Sequence, residues 1–191
     1  MTPIPGGARR RIFRSVAATI GMFASAGIAG LLLLDAFLRG GVEQGLLITP
    51  WVLLVLWGIY VFSYAPHVRT DAEGIRLHNV LSVIDIPWAL VSAIRLRWQL
   101  EVTLHDGGVL RAFGGPSLRR PRKTPEEPEA DAVEPSTRDL TLIQEAWIGA
   151  GESGSGESRP VRRTPDLAAL VALAIIVAWT VASLVIVAPW S

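Results

Sequence analysis

The chain has 191 residues, of which 50% are hydrophobic and 18% charged, with a formal net charge of +1. A soluble domain carries roughly a quarter charged residues, and so balanced a charge gives no general footing for nucleic-acid binding. No cysteine is present, which excludes a disulfide framework, a thiolate zinc cluster and a thiol nucleophile.

Residues 1–15 form a basic tail with Arg9, Arg10, Arg11 and Arg14. Three apolar runs occupy 16–38, 46–64 and 167–189, and Asp35 is their one charged residue. Crossing a bilayer core of ~30 Å takes ~20 residues at about 1.5 Å each. Bare backbone groups find no water there, so each run is expected to be helical. In the first run Asp35 lies near the end, with Arg39 at i+4, the spacing of a surface ion pair rather than a buried acid. Residues 39–45 are short and glycine-rich and predict a loop joining two antiparallel helices. Thr49 and Pro50 resemble a helix start, with Trp51 at one interface and Tyr60 and Tyr64 at the other.

The arginines set the expected orientation. Four precede the first helix, and Arg159, Arg162 and Arg163 precede the third, whereas the first hairpin loop has only Arg39. The positive-inside rule places the N-terminus and residues 65–166 in the cytoplasm and the C-terminus outside. Arg10-Arg11-Ile12-Phe13 followed by Ala24-Ser25-Ala26 also has features of an export signal. The apolar run continues well past Ala26, which favours an uncleaved anchor.

Between the second and third runs the pattern changes to period two. Residues 67–70 are extended, Asp71-Ala72-Glu73-Gly74 is a turn, and 75–79 alternate as a half-buried strand does. Residues 80–86 continue the alternation until Pro87 breaks the ladder. A further strand covers 88–97. Residues 100–105 and 109–113, around Asp106-Gly107-Gly108, form the clearest hairpin. Residues 116–137 are proline-rich and highly charged, a composition that predicts disorder. Residues 136–148 predict a helix with Leu140, Ile143 and Trp147 on one face and Ser136 or Thr137 as the cap. Residues 149–166 are expected to be a flexible linker, rich in glycine and serine.

The stretch Val68-Arg69-Thr70-Asp71-Ala72-Glu73-Gly74-Ile75-Arg76-Leu77-His78-Asn79 resembles the opening of bacterial PH domains of the low-molecular-weight protein antigen 6 type. Ile86-Pro87-Trp88 with Val91 and Ile94-Arg95-Leu96, and the Leu104-His105-Asp106-Gly107-Gly108 hairpin, are similar to the same family. Its actinobacterial members commonly place two membrane helices before the domain. The resemblance implies a small PH-like barrel or bent sheet over residues 65–148, capped by a C-terminal helix. The expected architecture is that domain joined to three transmembrane helices in the cell membrane.

Chemistry is sparse. There is no GxSxG, no P-loop and no GxGxxG following a strand. His67, His78 and His105 lack metal-ligand spacing in the sequence and read as solvated. The chain is therefore expected to be non-enzymatic and to need no cofactor. The leading expectation is a membrane protein that presents its PH-like domain to a protein partner or organises an assembly. Arg95 and Arg97 on one strand, with Arg119, Arg120, Arg122 and Lys123, are candidate contacts for anionic lipid headgroups, at about 1 kcal/mol each near such a surface. A lipid sensor is thus the alternative, and an accessory subunit of a transporter or cell-envelope complex is a third. Ala17, Gly21, Ser25 and Ala29 form a small-residue ridge at i+4 spacing, as do Ala174, Ala178 and Ala182. Such ridges let helices pack closely, within one chain or in a homo-oligomer.

Overall fold

The computed structural model describes residues 11–115, 135–152 and 159–187. In chain order the elements begin with β1 (Arg11–Phe13), α1 (Val16–Ile59) with a π-helical turn (Tyr60–Tyr64), β2 (His67–Thr70), β3 (Gly74–Asn79) and β4 (Ser82–Pro87). They continue with β5 (Val91–Leu96), β6 (Leu100–Leu104), β7 (Val109–Arg111), α2 (Pro135–Glu152), β8 (Arg162–Pro165) and α3 (Leu167–Val187). The strands and α2 form one unit, and α1 and α3 form another.

In the helical unit, α1 contains both of the first two apolar runs. Its one break is Gly41, at φ 73° and ψ −178°, a region of backbone space open essentially to glycine alone. The chain folds back at this point. Ser25 and Ala29 line the same cavity as Trp51 and Val55, and the Phe37 ring lies against Gly45. The reversal is thus centred on residues 40 and 41. The loop expected over 39–45 is therefore absent. One glycine makes the reversal, the flanking residues stay helical, and three helices result where four were expected. Pro50 is not a helix start but lies inside α1, where it removes one backbone bond. Thr49 Oγ1 donates to the Gly45 carbonyl at 2.7 Å one turn back.

Asp166 caps α3, its Oδ1 accepting the Ala169 N–H at 3.1 Å. The buried side of α3 carries Ala169, Thr180 and Ser183, and Trp57 Nε1 of α1 donates to the Ala169 carbonyl at 3.1 Å. Two helical segments, Val16–Tyr64 and Leu167–Val187, are long and apolar enough to cross a membrane. Only 17% and 11% of their most apolar windows is buried. A helix hidden in a soluble core would be mostly covered, so this apolar surface faces outward.

The other unit holds two antiparallel sheets, ordered β1-β2-β3-β4-β8 and β5-β6-β7. Alternation carries Phe13, Val68, Leu77 and Ile84 across four strands in one inward row. The second sheet adds Ile94, Leu100, Val102 and Leu110 to the same core. Burying a residue such as Leu77 contributes about 2 kcal/mol. α2 covers the core with Ile143, fully buried, and with Leu140 and Trp147, partly buried. Gln144 Nε2 ties this helix to the Ile94 carbonyl at 3.2 Å.

Three differences from the sequence expectation have local causes. Residues 75–86 form two strands rather than one continuous run, because Val80 and Leu81 turn the chain and Leu81 takes φ 57°. α2 starts at Pro135, inside the segment expected to be disordered, and places proline in the first turn where its missing N–H does no harm. The expected linker over 149–166 instead contains the end of α2 and strand β8, which gains its partner from β4. The rest of the 116–137 insertion, together with residues 153–158, lies outside the described residues.

Candidate functional site

The site begins with a turn. Asp71 Oδ1 accepts the N–H groups of Glu73 and Gly74, both at 3.0 Å, and so closes the link between β2 and β3. Gly74 must be glycine, because a Cβ there would run into the Ile86 carbonyl. Trp88, buried at the end of β4, donates its backbone N–H to the Glu73 carbonyl at 3.2 Å and its indole N–H to the Asp71 carbonyl at 2.9 Å. The turn is thereby clamped against the start of the second sheet.

β8 and the residues before it form the opposite wall. Between the walls is a cleft of about 640 Å³. Pro87, Pro160 and Val161 give it an apolar floor, behind which Ile75 and Ile86 are buried in the core, and seven charged residues surround that floor. The acids among them are already engaged. Asp71 serves its own turn, Asp85 pairs with Arg76, and Glu73 pairs with Arg159 at 3.2 Å. Arg162 and Arg163 are exposed and make no ion pair among the described residues. The lining thus carries two guanidinium groups uncompensated among the described residues. Such groups favour a planar, bidentate acceptor such as a carboxylate or a phosphate.

Comparison with known protein families, curated proteins and solved structures finds no match. The reading of this chain rests on its own residues.

The sequence-predicted headgroup contacts lie elsewhere or outside the described residues. Arg95 is exposed on β5, opposite Glu101, and Glu101 also receives Arg111 Nε at 3.1 Å. Arg97 is exposed just past β5, its backbone N–H bonded to the Gln99 carbonyl. Neither lines the cleft. Arg119, Arg120, Arg122 and Lys123 fall outside the described residues. Of the first helix ridge, Ala17 and Gly21 are exposed, and open space surrounds the place where a Cβ on Gly21 would stand. Ser25 and Ala29 line a cavity of about 350 Å³ between the arms of α1. Ala174, Ala178 and Ala182 are exposed on α3.

Sequence spacing does not show that His67 and His78 are neighbours. They face each other across β2 and β3 with ring centroids 4.9 Å apart. Arg69 and Arg76 share their face of the sheet by strand alternation, surroundings that disfavour a metal cation. Among the described residues no group of three His, Asp or Glu gathers as a metal site. Asp139, on α2 and not in the cleft lining, has its carboxyl raised above the ordinary 3.8 by burial, against the opposing pull of Arg138.

Sequence reasoning also did not bring Arg76 together with Arg159, Arg162 and Arg163. The three later arginines read as topology signals beside a membrane helix, and nothing in their spacing anticipates β8.

Proposed function

We propose that this chain is a non-enzymatic protein of the cell membrane that crosses the bilayer three times and holds a PH-like domain at the cytoplasmic face for a protein partner. The observation that carries the reading is the pairing of two outward-facing apolar segments with a separately packed, two-sheet domain. Two antiparallel sheets, of five and three strands, with a covering helix support the PH-like architecture implied by the sequence resemblance. The domain is also joined to the helices by very few residues. Arg14 and Ser15 separate β1 from α1, Ala65 and Pro66 separate the π turn from β2, and Asp166 separates β8 from α3. The two arms of α1, with α3, support three crossings, and the arginines beside them support a cytoplasmic N-terminus.

Crosslinking in intact membranes followed by pull-down tests the reading. A defined partner is expected, and a strictly solitary protein overturns it. Reporter fusions at residues 41 and 110 should locate outside and inside respectively.

The second reading, an anionic-lipid sensor, is favoured by one observation. Arg11, Arg14, Arg162 and Arg163 are exposed within a few residues of the ends of α1 and α3, where headgroups would lie. Flotation of the full chain in vesicles with and without phosphatidylserine separates the two by whether the domain's accessibility changes with lipid charge.

A further inference from the structure

We infer that the cleft between the β2–β3 turn and β8 docks an acidic, extended segment of the partner protein. The inference rests on the adaptor reading above and adds the partner's chemistry and its place of contact.

Charge complementarity carries the argument. The domain satisfies each acid of the lining internally, yet Arg162 and Arg163 have no ion-pair partner among the described residues. Both line the cleft, and no acid among the described residues pairs with either. An arriving carboxylate would find guanidinium groups with no ion-pair partner among the described residues. Pro87, Pro160 and Val161, none of them fully buried, offer apolar surface between the charges, so a ligand with both acidic and aliphatic side chains fits better than a small inorganic anion.

The shape of the site agrees. β8 is the outermost strand on its side of the sheet, next to β4 alone. An edge strand presents unpaired backbone groups to which an extended peptide can add, with alternate side chains directed to the cleft.

A bilayer surface fits less well. It is negative throughout, so it cannot spare Glu73, Asp71 and Asp85 while it attracts the arginines. A peptide can space its carboxylates to meet Arg162 and Arg163 and keep clear of the acids.

The test uses the full chain in detergent micelles and a short fluorescein-labelled peptide alternating glutamate with valine, followed by anisotropy. Saturable binding is expected that weakens with added salt. Replacing glutamate by glutamine in the peptide should weaken it about tenfold, as should Arg162→Ala with Arg163→Ala, since two exposed pairs are lost. Both arginines are exposed, so the double variant should melt as the wild type does. Equal binding by wild type and double variant overturns the inference. So does a double variant that loses binding to phosphatidylserine vesicles while keeping the peptide.

The failures of the two readings are distinguishable. If membrane crosslinking captures the same partner from wild type and double variant, the adaptor reading stands and the cleft assignment falls. If no partner is captured although the arginines bind the peptide, the adaptor reading falls and the cleft assignment stands.

Discussion

The Trp88 indole N–H reaches across to the Asp71 carbonyl at 2.9 Å, so the end of β4 is held to a turn that lies far earlier in the sequence. Trp88 is 3% exposed, and no water can replace that bond. Trp88→Phe keeps an aromatic ring but orphans the carbonyl and leaves a small void. A loss of about 2–3 kcal/mol is expected, read as a lower melting temperature by near-ultraviolet circular dichroism in detergent. Peptide binding at the cleft should weaken in parallel, because Asp71 and Glu73 belong to its rim.

Thr70 gives the opposite sign. It is 1% exposed, and its hydroxyl meets no partner among the described residues. Thr70→Val keeps the branched shape that suits β2 and removes an unpaired polar group. The variant should be more stable by about 1 kcal/mol. A melting temperature unchanged or lowered would count against the packing described for this strand.

Asp139 predicts a pH dependence. Its carboxyl is raised above the ordinary value by burial, with Arg138 pulling the other way. A carboxyl raised on folding favours the folded state below its unfolded pKa, and that contribution is lost as pH rises through the folded pKa. At pH 7 the charged form therefore destabilises α2. Asp139→Asn should melt higher than wild type at pH 7, and the gap should close as the pH falls to about 4. Arg138→Ala should widen the gap, since it removes the opposing influence.

Gly41 controls the reversal within α1. Any side chain there meets a backbone conformation costing about 1–3 kcal/mol. The chain has no cysteine, so Ala29→Cys with Val52→Cys, two positions on the inter-arm cavity, reports directly on whether the arms face each other. A short bismaleimide should join them efficiently. Adding Gly41→Val should reduce the yield severalfold. Full crosslinking in that triple variant would remove the special role given to Gly41.

Where local chemistry decides structure, the sequence was legible. Asp106-Gly107-Gly108 forms its hairpin with Gly107 at φ 85°, and Asp71 closes its turn through its own side chain. The helical face of Leu140, Ile143 and Trp147 packs on the core as its spacing implies. The turn at Val80 and Leu81 has no such signature. Neither residue favours a left-handed backbone, and its support is distant: Asn79 Nδ2 donates to the Arg111 carbonyl at 2.9 Å, and its Oδ1 accepts the Phe113 N–H at 2.7 Å. β1 and β8 were hidden for a related reason. Arg11 to Phe13 and Arg162 to Pro165 are too short and polar to declare themselves strands. They become strands because β2 and β4 offer edges. The cleft follows β8 and was equally out of view, as was the His67–His78 pair, which depends on the register of β2 against β3.

Strand β8 also has a consequence for the order of synthesis. β4 leaves the ribosome well before β8, with β5, β6, β7 and α2 made in between. At about 5–20 residues per second, the nascent domain spends seconds with the β4 edge bare and the floor of the cleft uncovered. That exposed edge is a site for premature pairing or chaperone capture until Arg162 to Pro165 arrive. The wall that completes the cleft thus appears only as α3 is about to be made, which couples completion of the domain to insertion of the helix that follows it.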